Sequence, residues 1–496
     1  MNSPMAAAPS APLSHPEVLR IIFGVIVAMI LAALDQTIVV TALPTIGRSL
    51  GNPEYLPWVV TAYLLSSTAV TPLYGKVSDI VGRRKTLLFA ISVFVIGSVA
   101  CAASPNIYVL ILARALQGLG GGGLISLAQT IIADIVSPKE RARYQVYISG
   151  VYMLASISGP LLGGYMAEHL HWSLIFWINL PVGLVALVMT NGLLKKLPRH
   201  EKPHKLDFLG AALVAGASIA LMLALNWGGI HYPWSSPQVV GLLVSSVLLS
   251  AAFVWRLNTA PEPFIPSVIL KNPVVAMGTI TAMLIMGTYI GVTAYLPIYM
   301  ELSYGLSASQ SGLSLIPFMS GTVVGAIIAG RFMARSARYK RPAYVGLVFS
   351  VIGLGLAGAF KSHLSLVMIE LVMAGVSIGL GTVFPITTVA IQNAVAPHQM
   401  GTATGVMGFF RSLGGALLVA LFGAVLFSQL PDFAALEAAS TPTTIGPVVM
   451  GEIHSAFRPL FGLAAFVLAL ALAAFHQMPE KALRGKVHVA DAIAME

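Results

Sequence analysis

Charge is scarce in this sequence. Only 9% of its 496 residues are Asp, Glu, Lys or Arg, against 57% hydrophobic. Soluble globular domains carry about 25% charged residues, so the chain lacks the polar surface that water requires. Cysteine is nearly absent as well. The single cysteine, Cys101, sits in an apolar run, which excludes a disulfide framework and a cysteine-based metal site. No Gly-x-x-x-x-Gly-Lys-Ser/Thr loop occurs, and no polar stretch is long enough for a nucleotide-binding domain, which argues against an ATP-driven pump. His-Glu-x-x-His and Gly-x-Ser-x-Gly are also missing, so no enzyme motif stands out. His169 and His171 form only a short pair, read as interface residues rather than a metal site. No cofactor and no metal is expected.

What the chain does have is apolar runs of the length that crosses a hydrocarbon core. Fourteen are read, at about 20–44, 56–75, 86–104, 106–133, 144–167, 172–194, 207–227, 238–256, 274–300, 308–330, 343–360, 364–386, 402–428 and 457–476. Helices are expected, because lipid cannot satisfy backbone hydrogen bonds and the alternation of a membrane barrel is absent. Residues 1–19 read as a Pro- and Ala-rich tail. The first apolar run is too long for a signal peptide and should remain as span 1.

The basic residues test this count through the positive-inside rule. Of the 28 Lys and Arg, 23 fall at the termini and on one alternate set of loops, and only Arg48, Lys361 and Arg458 fall on the other set. Arg114 and Arg411 lie within spans. This asymmetry predicts an even span number with both termini cytoplasmic. It also accounts for the net charge of +10 as an orienting device, so no nucleic-acid partner is expected.

The sequence repeats itself weakly at an offset of 255. Gly75-Lys-Val-Ser-Asp79-Ile-Val-Gly82-Arg83-Arg84-Lys85 aligns with Gly330-Arg331-Phe-Met-Ala334-Arg335-Ser-Ala337-Arg338-Tyr339-Lys340. The same offset pairs Gly150 with Gly405 and Gly159 with Gly414. The predicted architecture is therefore all-α: a six-helix half at 20–194, a linker and two-helix insert at 195–256, and a second six-helix half at 257–476. Cytoplasmic tails at 1–19 and 477–496 flank it, and an outer loop spans 429–456. Parallel halves imply a pseudo-two-fold axis along the membrane normal, with a site between them.

Four stretches make the chain resemble the 14-span drug:proton antiporters of the major facilitator superfamily. Leu34-Asp35-Gln36-Thr37-Ile38-Val39-Val40-Thr41-Ala42-Leu43-Pro44 resembles the family's first-helix signature, and Gly75 through Lys85 its loop motif. Arg114-Ala-Leu-Gln117-Gly118 resembles the fourth-helix motif, and Gly159-Pro160-Leu-Leu-Gly163-Gly164 the antiporter motif of helix 5. Trp172 to Gly183 is also family-like. Ser173 departs from the pattern where many relatives carry a basic residue, and Ala334 stands opposite Asp79. The resemblance implies a major-facilitator fold and proton-coupled multidrug efflux, with antibiotic resistance as its consequence. It implies that spans 1, 4, 9 and 12 line a central cavity. The expected setting is a multi-pass plasma membrane, the bacterial inner membrane. A dedicated exporter of one metabolite, siderophore or lipid is the competing reading, separated by substrate breadth. Lipid, protons and a small lipophilic substrate are the expected partners. The sequence leaves a periplasmic adaptor undetermined.

Ionisable groups inside spans are costly unless paired or hydrated, so each is a functional candidate. At 1.5 Å per residue Asp35, Arg114 and Glu370 fall at similar depth, about 22 Å from the cytoplasmic start of span 1 in the case of Asp35. They are expected to cluster around the shared cavity, with Asp35 the main proton site, Glu370 a second acid and Arg114 tuning both. Arg411, Met286, Tyr289 and Tyr295 are candidate cavity residues, suited to a lipophilic drug, cationic drugs included. Gly75, Asp79, Gly82, Arg83 and Asp134 are expected to form a cytoplasmic latch, with Asp79 meeting the N-terminal end of span 13 near Gly401 and Arg83 pairing with Asp134. Gly159, Pro160, Gly163 and Gly164 are expected to pack helix 5 against the opposite half.

Overall fold

In the computed structural model, residues 15–52, 55–196, 207–229, 232–306, 308–336, 338–359, 365–429 and 447–483 are described. Most of both tails, the basic linker at 197–206 and most of the outer loop, 430–446, lie outside them. Among the described residues the fold is helical, without a strand. Fourteen helices are long and apolar enough to cross a membrane. We number them α1 His15–Leu50, α2 Leu56–Val81, α3 Arg83–Ala102, α4 Ile107–Ile135, α5 Pro138–His169 and α6 Leu174–Leu193. Then follow α7 Phe208–Trp227, α8 Pro237–Thr259, α9 Pro273–Tyr304, α10 Gln310–Arg335, α11 Arg341–Ala359, α12 Leu366–Asn393, α13 Met400–Gln429 and α14 Pro447–Gln477.

Local sequence sets the helix starts. Ser137 and Glu140 form a capping box at α5, with Pro138 in the first turn. Asn106 caps α4 by accepting from Val109 N at 3.0 Å, and Ser365 caps α12 by accepting from Met368 N at 3.3 Å. Asp207 caps α7 through Gly210 N at 3.0 Å and also accepts from Arg256 Nε of α8 at 3.1 Å. One carboxylate thus starts the insert and ties its two helices together. Gly82, at φ 98°, makes the α2–α3 turn in a backbone conformation that an L side chain disfavours.

The packing repeats across the two halves. α1 packs on α5 and α6, as α9 packs on α13 and α14. α4 packs on α2 and α3, as α12 packs on α10 and α11. The main contacts between halves, α2 with α13 and α5 with α10, exchange under the same relation. This is the signature of a pseudo-two-fold axis between the halves. The insert helices pair with each other, and α7 leans on α2 and α13.

Small residues set the closest approaches, as expected where lipid gives no hydrophobic drive between helices. A Cβ on Gly120 would meet Phe94 N and Ala90 O of α3, and one on Gly122 would meet Ser67 O of α2. The glycine run of α4 therefore seats two neighbours. The paired glycines of the repeat do equivalent work: Gly159 of α5 lies against Thr37 of α1, and Gly414 of α13 against the Met283 backbone of α9.

That placement corrects the expectation for the helix 5 motif. Gly159 and Gly163 are one turn apart and share a face, and that face meets Thr37, Ile38 and Thr41 of α1 in the same half. Gly164 has open space around it and Pro160 is exposed. Alanine substitution should separate these positions. Gly163→Ala forces a methyl onto Ile38 O and should cost about 1–3 kcal/mol. Gly164→Ala should be neutral or gain up to about 1 kcal/mol of helix propensity. Thermal unfolding in detergent reads both.

Candidate functional site

Asp35 stands mid-way along α1, and its carboxylate is fully buried. Arg114 Nη1 of α4 donates to Oδ2 at 2.6 Å. Gln117 Nε2 and Asn179 Nδ2 donate to Oδ1 at 2.8 and 3.1 Å. Gln117 also donates to Ser98 Oγ of α3 at 2.8 Å, and Asn179 comes from the break between the two pieces of α6, which end and start at Trp177 and Asn179. The carboxylate therefore joins α1 to α4 and α6, and its two amide partners carry the network on to Ser98 of α3. The Arg114 guanidinium lies 4.4 Å over the Tyr63 ring and 5.8 Å from that of Phe176, and its Nε donates to Val59 O at 3.0 Å. A buried ion pair needs this degree of satisfaction to offset its desolvation.

The pair does not line the central cavity. That cavity, about 330 Å³, lies between the halves. Its wall comes from α1, α2, α4 and α5 on one side and α9, α10, α12 and α13 on the other. Gln36 and Tyr63 line it, whereas Asp35 and Arg114 stand one layer behind them. Neighbouring positions on a helix point about 100° apart, so Gln36 can face the axis only if Asp35 turns into the bundle. Glu370 does not join the cluster. It is half-buried, in the second turn of α12, and outside both the cavity lining and the Asp35 network. Arg114 is buried beside Asp35 in the first half, and Glu370 lies apart from both on α12 of the second.

Met286, Tyr289 and Arg411 do line the cavity. Tyr289 stacks on Phe318 at 5.4 Å and meets Phe384 edge-on at 6.1 Å. Tyr295 is not part of the lining; its hydroxyl donates to Val419 O of α13 at 2.9 Å. Among the described residues, Arg411 is the one side chain in the lining with a formal charge. Its Nη2 donates to Thr388 Oγ1 at 2.9 Å and Phe384 O at 3.3 Å.

At the end of the molecule that carries the basic loops, the halves are tied together. Asp79, in the last turns of α2, accepts from Gly401 N at 3.0 Å and from both N and Oγ1 of Thr402 at 2.7 Å. It thereby places negative charge at the N-terminus of α13. Arg83 bridges Asp79 at 2.5 Å and Asp134 at 2.8 Å. Gly75 makes room for this, since a Cβ there would strike Gly401 O. A second tie is absent from the sequence reading: Arg141 Nη1 of α5 donates to Gln392 Oε1 of α12 at 2.9 Å, and Gln392 donates to Thr404 Oγ1 at 3.1 Å. Gln117, Asn179 and Gln392 carried one weak signal, an amide in an otherwise apolar helix. The spacing of Arg114 and Gln117 by three also puts both on one face.

Residues 25–419 match the sequence model of the Major Facilitator Superfamily. The chain belongs to that superfamily. It is 33% identical over 455 residues to the multidrug transporter protein MdtP of Bacillus subtilis, covering 88% of this chain and 84% of that one. It is 34% identical over 405 residues to multidrug resistance protein 3 of the same organism, covering 82% and 79%. An uncharacterized MFS-type transporter of Mycobacterium tuberculosis is 32% identical over 457 residues, of whose length the chain spans 66%. Among solved structures, the proton:xylose symporter XylE superposes with a TM-score of 0.61 at 14% identity, covering 95% of this chain and 98% of that one. A bacterial homologue of ferroportin in its outward-facing state gives 0.64 at 12%, covering 93% and 99%. These likenesses establish the fold. With fourteen helices among its described residues long and apolar enough to cross a membrane, it is a multi-pass membrane member of that superfamily.

Proposed function

We propose that this protein is a proton-driven exporter of small lipophilic molecules that works by alternating access. The observation that carries the reading is the pairing of two features. A cavity at the interface of the halves is tied shut at the basic end, and a fully buried carboxylate, Asp35, stands one layer behind its Tyr63 wall. The multidrug names of the two Bacillus relatives support the substrate breadth. The positive-inside rule supports reading the basic end as cytoplasmic, and we take the described state as outward-facing in a plasma membrane.

The geometry supports a route for coupling. Protonating Asp35 removes the negative charge that holds Arg114, Gln117 and Asn179 together. The four helices they join can then shift. Arg114 rests on Tyr63, and Tyr63 faces the substrate. A substrate pressing on that ring and a proton on Asp35 therefore oppose each other, which is the requirement for exchange. The Asp79 and Arg141 ties open when the cavity turns inward. Glu370 has no place in this scheme.

Proteoliposomes test it. With dansyl-labelled probes of negative, neutral and positive charge inside or out, an imposed pH gradient without ATP should drive at least one of them against its concentration gradient. A protonophore should abolish that accumulation. Accumulation that survives the protonophore, or none with any probe, contradicts the reading.

A further inference from the structure

We propose that the cavity selects lipophilic anions, a carboxylate or sulfonate on an aromatic body, with Arg411 as the group that receives the charge. The proposal rests on the transport reading above and names the substrate class of the same cavity. It departs from the cationic substrates that the intramembrane acids suggested, because the structure takes those acids out of the lining.

Among the described residues the lining contains no Asp, Glu, Lys or His, and its charge is that of Arg411. Arg411 lies eleven residues into α13, so about 16 Å along the helix, deep within the span. A charge at such depth ordinarily has a counter-charge or water. Arg114, the other intramembrane arginine, has Asp35 at 2.6 Å. Arg411 has no ion pair among the described residues. Its described partners are neutral: the Thr388 hydroxyl, the more distant Thr387 hydroxyl at 3.4 Å, and the Phe384 carbonyl. Its Nε is buried without a hydrogen-bond partner. Across the cavity, on α5 of the other half, Gln145 Nε2 is likewise buried and unpartnered. Arg411 and Gln145 thus border the cavity from opposite halves, each keeping an unused N–H, and a guanidinium without an acid partner suits an oxygen-rich anionic group.

The remaining wall fits the rest of such a molecule. Met286, Met319, Tyr289 and Phe384 give an apolar, adaptable surface beside the guanidinium. Phe384 lies 5.7 Å from the Arg411 guanidinium carbon, so its ring and the charge are presented together. A cationic substrate would meet Arg411 across a poorly hydrated space, where like charges repel most strongly.

Equilibrium binding to the detergent-purified protein tests the charge preference without any gradient, so a failure of proton coupling leaves this test intact. The probes share one fluorophore: dansylglycine, its uncharged glycinamide, and the cationic N-(2-aminoethyl)dansylamide. The anion should bind at least about ten-fold more tightly than either, a difference of about 1.4 kcal/mol. Arg411→Gln should abolish that advantage while leaving the amide within about two-fold, and Arg411→Lys should restore part of it. A merely structural arginine would weaken all three probes alike on substitution, and that result overturns the proposal. So does a parent protein that binds the amide or the cation as well as the anion, a ranking that needs no variant to fold.

Discussion

Asp35→Asn should reduce gradient-driven transport to the background of protein-free vesicles while leaving substrate exchange without a gradient in place. Asparagine keeps the size and one acceptor of the carboxylate but cannot take up a proton. It also strands Arg114, whose guanidinium is 1% exposed and would face no counter-charge. Breaking a buried pair from one side costs about 3–5 kcal/mol, so the single variant should also melt at lower temperature. A second variant separates the two effects. Asp35→Asn with Arg114→Gln removes both charges and should recover much of the lost stability, because Gln117, Asn179 and Ser98 still offer hydrogen bonds. It should remain uncoupled. Gradient-driven accumulation by the stable double variant would assign the proton elsewhere.

The second large effect is expected at the basic end. Asp79→Ala deletes three hydrogen bonds to the start of α13 and the ion pair with Arg83. A hydrogen bond to a charged group is worth about 1.5–3 kcal/mol. Losing one such contribution from the closed state alone shifts its ratio to the open state about 10- to 150-fold. The change is readable as a distance between spin labels at Lys85→Cys and Arg338→Cys, exposed positions on the two halves. The single native cysteine, Cys101, is buried and does not compete for label. The parent should give one short separation, and Asp79→Ala a longer one with transport severely slowed. An unchanged distance would mean that Arg141 and Gln392 hold the end closed by themselves.

The fourteen helices were legible because hydrocarbon thickness sets a length and lipid forbids unpaired backbone. The contacts of Asp79 and Arg83 were legible for a related reason. They sit at helix ends, where the turn fixes direction and an acid next to a helix N-terminus has one obvious destination. Inside the spans, depth could be counted but azimuth could not. Asp35, Arg114 and Glu370 share a depth, yet Asp35 and Arg114 turn into one half and Glu370 remains near the end of α12, away from them. Tyr289 and Tyr295 are six residues apart on α9, about 600° of helical turn, so one faces the cavity and the other α13. Gly159 and Gly163 were recognisable as small residues for close packing, but sequence did not say which helix they approach. Arg411 was visible as an intramembrane charge. Its lack of an acid partner depends on where every other acid points, which only the packed structure gives.

In the proposed exchange, a proton on Asp35 and a substrate in the cavity exclude one another. The most direct measurement is proton release. Substrate, here the dansyl probe that binds most tightly, is added to detergent-purified protein in weakly buffered solution with a pH indicator. Protons should be released in proportion to probe bound, and none should be released by the Asp35→Asn, Arg114→Gln variant under saturating probe. Equal release from parent and variant, or binding by the parent without any release at any pH between 5 and 9, would contradict it.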